Sequence, residues 1–181
     1  MSRIVVALGG NALIRRGDPG SIEVQRRNLV VAASSLVDLA SAGHDLVLTH
    51  GNGPQVGYLA IEAEAARDVV PPPPLDVLVA ESQGQIGYLV AQALAEAFAS
   101  RGRRPPIATV LTEVVVDAAD PAFRSPTKPV GPPYDEATAR SLAAEYGWSV
   151  ARDGSSWRRV VPSPTPKAIV QASSIRALVD A

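Results

Sequence analysis

The feature that most constrains this chain is a pair of short apolar runs, each closed by a turn of glycine and asparagine and each followed by a helix-like segment. Arg3 to Leu8 is apolar and β-branched almost throughout and stops at Gly9-Gly10-Asn11, while Asp45 to Thr49 runs into His50-Gly51-Asn52-Gly53-Pro54. Such runs, lacking alternation, read as parallel strands covered on both faces. Between them, Leu29, Ala33, Leu36, Val37 and Ala40 recur at three- and four-residue steps within Ile22 to Ala42, with Ser21 ahead as N-cap and Gly43 behind as terminator. Gln55 to Ala66 is helical in composition too. Strand, helix, strand, helix in that order gives an α/β fold with right-handed crossovers. Both glycine turns then fall at the carboxyl ends of parallel strands, where ligands bind.

Further along, Leu75 to Ser100 reads as a long helix despite Gly84 and Gly87, Ile107 to Leu111 as a third core strand, and Val114 to Val116 as the start of an excursion. Prolines crowd the segment from Asp117 to Tyr134, which excludes a helix or a central strand and leaves an ordered loop or small flap. Asp135 to Tyr146 is helical in pattern, and Trp148 to Arg152 and Trp157 to Val161 form two short strands joined across Asp153-Gly154. Pro166-Lys167-Ala168 reads as a loop, and Ser173 to Ala181 begins a last helix.

Composition narrows the function. A chain of 181 residues, 46% of them hydrophobic, supports one substantial core, so one domain with a small excursion is expected. The formal net charge of −1 gives no surplus to attract a nucleic-acid backbone or an anionic membrane, and 4% aromatic residues leave few rings for bases to stack on. The first apolar run is far below the roughly 20 residues that span a bilayer. Cysteine is absent, which removes disulfides and thiolate metal sites and points to a reducing, cytoplasmic setting.

Glycine lets a backbone approach a ligand closely, and N–H groups near a helix start carry partial positive charge. Two such turns side by side form an anion cradle suited to phosphoryl transfer, which asks mainly for positioning and charge stabilisation. Asn11 and Asn52 add side-chain amides that can donate to the same oxygens. Either turn alone is also compatible with a plain tight connection. Neither the phosphate-loop spacing with its terminal Lys-Ser/Thr nor the Gly-x-Gly-x-x-Gly dinucleotide fingerprint is present.

The chain resembles the carbamate kinases, a branch of the amino-acid kinase family. The resemblance is carried by Val6 to Leu13, Gln25 with Asn28, His50 to Gly57, Ser82-Gln83-Gly84 with Ile86-Gly87-Tyr88, Asp120 to Phe123 through Pro126-Thr127-Lys128-Pro129 to Pro132, and Trp157 to Pro164. It implies a three-layer αβα sandwich with a mainly parallel sheet and a small protruding flap at about 117–162. Residues 1–181 would be the amino-terminal lobe that binds carbamate and phosphate, acting in a homodimer. It further implies reversible phosphoryl transfer between carbamoyl phosphate and ADP, giving ATP and carbamate. Magnesium would accompany ATP or ADP on a second lobe that this chain lacks, so no metal ligand is assigned here. Carried over by residue, Gly9, Gly10, Asn11, Gly51, Asn52 and Gly53 are the phosphate cradle, and Lys128 is the flap lysine that acts with Asn11 in catalysis. A lysine in a proline-stiffened loop suits that part, being a movable charge held at low entropic cost.

Other residues in the matching blocks are less directed. His50 reads as structural, ordering the turn after it, because a carbamate oxygen is already anionic and needs no base. Adjacent strand residues face opposite sides, so at most one of Arg158 and Arg159 points inward, and both are assigned structural or interface roles. Ser163 either lines the cleft or sits in a plain turn. Ser82-Gln83-Gly84 and Gly87 mark either a close helix contact near the substrate lobe or dimer interface, or a simple kink. Pro133 and Gln171 depart from the family pattern, which has an aromatic and a glutamate there. Without the nucleotide lobe, little turnover is expected of this chain, along with aggregation or obligate association through an uncovered sheet edge. The alternatives are another amino-acid kinase, acting on acetylglutamate, glutamate, aspartate or a uridine nucleotide, or a non-catalytic dimerising remnant that binds anions weakly.

Overall fold

The computed structural model describes residues 2–15 and 17–180, and of Asn11 the backbone alone. The chain divides into two compact units, one formed by residues up to Asn52 with Val79–Leu111, the other by Gly53–Leu78 with the residues from Thr112 onward.

In the first unit, strand β1 (Arg3–Leu8) leads through a one-turn helix α1 (Gly10–Leu13) to helix α2 (Ile22–Ser41) and strand β2 (Asp45–His50). β1 and β2 pair in parallel, from Arg3 opposite Asp45 to Leu8 opposite His50. Helix α2 starts where expected because the Ser21 hydroxyl accepts the N–H of Val24 at 3.4 Å, and the chain leaves it through Gly43 at φ +90°. Its buried stripe includes Leu29 (2% exposed) and Val37 (0%), each contributing about 2 kcal/mol by leaving water. That stripe packs with Leu8, Leu13, Ile86 and Phe98 in one core, the last two from helix α4 (Leu75–Ala99).

Two expectations fail here. β1 is not covered on both faces, since its burial alternates and Val5 is 66% exposed. The strand's pleat accounts for this, turning Val6 and Leu8 to the core and Val5 the other way. Nor is Ile107 to Leu111 a strand. Pro105 and Pro106 remove the N–H donors at its approach, and the segment is held instead by Thr109, whose hydroxyl donates to the Gly87 carbonyl at 3.3 Å.

The second unit contains helix α3 (Gly53–Ala65), the first residues of α4 and an antiparallel pair of β3 (Val114–Val116) with β7 (Pro166–Ile169). It also holds a three-stranded antiparallel sheet ordered β4 (Lys128–Tyr134), β6 (Ser156–Val161), β5 (Ser149–Asp153), and helices α5 (Glu136–Tyr146) and α6 (Ala172–Asp180). The β5–β6 hairpin forms across Gly154, at φ +61°, and Asp135 caps α5 by accepting the Thr138 N–H at 2.8 Å. The proline-rich segment expected as an ordered loop or small flap contains strand β4. Its prolines are tolerated because β4 lies at the sheet edge, and its register with β6 breaks between Val130 and Tyr134, where Gly131-Pro132-Pro133 lies. Lys167 likewise lies in β7 and not in a loop, its strand matched by β3. Among the described residues, parallel pairing is confined to β1 and β2, so the mainly parallel sheet expected from the sequence is not what these units display.

Candidate functional site

The parallel register fixes the geometry of the two turns. Leu8 and His50 are opposite one another, so Gly9-Gly10 and Gly51-Asn52 leave the sheet at the same edge from neighbouring strands, which lie about 4.8 Å apart. Gly9 caps α1 without a side chain, and α3 starts at Gly53 directly after the second turn. Backbone amides at these points have no side-chain acceptor of their own residue to occupy them, the arrangement an anion can use.

Internal structure does not explain these glycines. Among the described residues, a Cβ built on Gly9, Gly10, Gly51 or Gly53 meets nothing within 4 Å, and none of them has a left-handed backbone. Gly57 is the contrast, since a Cβ there would lie 2.4 Å from the Gly131 Cα, where α3 presses on β4. The turn glycines leave open space beside the backbone, whereas Gly57 and Gly131 fill theirs.

Two buried polar residues hold the turns from behind. Asn28 of α2 donates its Nδ2 to the Leu13 carbonyl at 3.0 Å and to Asp18 Oδ2 at 3.0 Å, which fixes the chain just after the first turn. The Asn28 amide also holds the Asp18 carboxyl below its ordinary range. On the second turn, Asn52 Nδ2 donates to Ser82 Oγ at 2.8 Å, and Ser82 Oγ donates to the Val79 carbonyl at 2.6 Å. His50 Nδ1 lies 3.2 Å from the Gly51 carbonyl, a contact that fits an ordering part for the ring.

Of the other candidates read from the sequence, Lys128, Ser163, Arg158 and Arg159 belong to the second unit. The Asn11 side chain lies outside the described residues. Lys128 is exposed at the start of β4, opposite Val161 of β6, and Ser163, also exposed, follows that partner by two residues. Arg158 donates to the Gly131 carbonyl and to Asp153 Oδ2, and Arg159 lies over the Trp148 ring at 4.6 Å with burial lowering its pKa. Both arginines are thus engaged within the second unit. Sequence reasoning missed Ser82 as a partner of the turn. The signal was present, because the helical repeat places Ser82 on the same stripe of α4 as Ile86, Leu89 and Ala93.

Among the described residues, no three histidine, cysteine or carboxylate side chains are grouped as ligands of a metal ion would be. Among them, too, no helix is long and apolar enough to cross a membrane.

The chain is α/β with glycine turns at adjacent parallel strand ends, and its solved structural neighbours share the amino-acid kinase fold. Carbamate kinase from Giardia lamblia bound to citric acid superposes with a TM-score of 0.92 at 42% identity, covering 99% of this chain and 58% of that one. The same enzyme bound to AMP-PNP gives 0.85 at 42% identity, with 99% and 57% covered. Carbamate kinase of Thermococcus kodakarensis is 50% identical over 99% of this chain and 58% of its own length. That of Escherichia coli K12 is 48% identical, with the same coverage. No family model matches. The chain is homologous to carbamate kinases over nearly its whole length and corresponds to their amino-terminal portion, spanning 58% of the length of these relatives.

Proposed function

We propose that this chain supplies the carbamate- and phosphate-binding part of a carbamate kinase, which transfers a phosphoryl group reversibly between carbamoyl phosphate and ADP. One observation carries the reading: among the described residues, the glycines at 9, 10 and 51 border open space at one sheet edge and answer no packing or backbone requirement. A bound anion supplies the missing reason, because its oxygens need close approach to backbone N–H groups. In this reading those amides, with Gly53 and the Asn11 and Asn52 side chains, hold the transferring group in line. Lys128 brings a mobile positive charge that offsets the charge developing on its oxygens. ATP or ADP with magnesium would be handled by the part of the relatives that this chain does not match. We assign the chain to the three-layer αβα sandwich class, with residues 117–162 as a flap, and to a cytoplasmic homodimer.

Calorimetric titration with carbamoyl phosphate, repeated on Lys128→Ala, tests the proposal. Binding by the wild-type chain that weakens about tenfold or more in the variant supports it, as loss of a charge-assisted contact would. Heat in neither protein would favour an inert, dimerising remnant. Binding of acetylglutamate or a uridine nucleotide in preference would favour another amino-acid kinase.

A further inference from the structure

We propose that Ser82 is a positioning residue for the ligand site, fixing the Asn52 amide so that one N–H is presented to an anionic oxygen of a phosphoryl or carbamate group. The inference rests on the cradle reading above and deepens it.

Ser82 is anomalous where it stands. It lies on the buried stripe of α4 with Ile86, Leu89 and Ala93, and it is 0% exposed. Alanine would pack there as well and favours helix more, while a buried hydroxyl is costly unless its hydrogen bonds are made. A serine back-bonded to its own helix satisfies its donor but gains nothing over alanine. The use of this hydroxyl therefore lies in what it accepts.

The hydroxyl has one hydrogen, and that hydrogen goes to the Val79 carbonyl, which can only accept. Whatever faces the oxygen from the other side must then donate. Asn52 meets the demand with Nδ2 at 2.8 Å, so the end of its amide bearing nitrogen is committed to the helix side. A flipped amide would set its carbonyl oxygen against the hydroxyl oxygen and lose the bond. The relay from a helix carbonyl through Ser82 thus selects one of two otherwise similar amide orientations and fixes where the second Nδ2 hydrogen points. Asn52 stands in the turn that leaves β2 beside the turn leaving β1. A loop amide held this way avoids the entropy of ordering it at the moment of binding.

A double-mutant cycle separates this from a purely structural bond. Carbamoyl phosphate is titrated calorimetrically into the wild-type chain, Ser82→Ala, Asn52→Ala and the double variant, with the Asn52 side-chain NH₂ resonances followed by NMR. Ser82→Ala is expected to weaken binding about three- to tenfold, the scale of one hydrogen bond. In the Asn52→Ala background it should change affinity less than about 1.5-fold, since the two residues act as one unit. The NH₂ resonances should shift in Ser82→Ala before any ligand is added. Ser82→Cys, which keeps the side chain's shape but accepts weakly, should bind like Ser82→Ala and guards against loss of fold. Equal losses in both backgrounds, or full affinity in Ser82→Ala and Ser82→Cys alongside a wild type that binds, would overturn the positioning role and leave the cradle standing. A wild-type chain that gives no binding would overturn both.

Discussion

Leu8 and His50 stand opposite each other in the parallel register of β1 and β2, so that the residues after each begin their turns side by side. A shift of that register by one residue would invert the facing of a whole strand and carry its turn out of line with the other. The shared edge is therefore a property of the core, since Leu8 and Leu48 are both packed into it.

Replacing Gly10 or Gly51 with alanine separates ligand requirements from folding requirements. Among the described residues, a methyl group at either place meets nothing within 4 Å, and neither residue has a left-handed backbone. Stability should stay within about 0.5 kcal/mol of wild type in urea denaturation. Affinity for carbamoyl phosphate should fall tenfold or more if the proposed cradle holds the anion, because the methyl groups would stand in its path to the backbone.

Gly57→Ala should have the opposite profile. Its Cβ would lie 2.4 Å from the Gly131 Cα and 2.5 Å from the Gly131 nitrogen, so α3 and β4 must move apart. Overpacking of this kind costs about 1–3 kcal/mol. Denaturation with urea measures it, and an unchanged midpoint would mean that α3 and β4 are not in this contact.

Asn28→Leu keeps the number and branching of heavy atoms but leaves the Leu13 carbonyl without its side-chain donor. Loss of about 1–3 kcal/mol is expected for an acceptor stranded in this way. Anion affinity should weaken as well, because the segment after the first turn loses its anchor. Urea denaturation reads the first effect and the titration used for the glycine variants reads the second.

Asp120 provides a pH signature. Its carboxylate accepts the Ala122 N–H at 2.9 Å and the Thr165 N–H at 3.0 Å, and these bonds, the Ala122 one foremost, hold its pKa below the ordinary value. A folded pKa lower than the unfolded one contributes stability that is fully present above the unfolded value of about 3.9 and is lost as pH falls through the folded value. Unfolding midpoints recorded across pH 2 to 6 should fall on the acid side, in a range beginning near pH 4. In Asp120→Asn that part of the slope should be smaller, and an identical slope would show that the two N–H bonds do not favour the ionised form.

Reading the sequence recovered what repeats and what breaks repeats. The steps from Leu29 to Val37 gave α2 within a residue of its ends, and glycine gave both turns, because burial and backbone freedom leave a periodic trace. Lys128–Tyr134 escaped as a strand because proline forbids central pairing and is silent about an edge. Ile107 to Leu111 misled for the converse reason, since apolar composition reports a wish for burial and not the presence of a ladder partner. Ser82 was read only within a close helix contact or a kink and not as the partner of Asn52, although its place on the stripe with Ile86 already required a partner.

The shared-edge cradle is tested most directly by backbone amide shifts of the ¹⁵N-labelled chain during a carbamoyl phosphate titration. The account predicts that the N–H signals of Gly9, Gly10, Gly51 and Asn52 move together and saturate along one binding curve. Unmoved signals at either turn, or separate curves for the two, would contradict it.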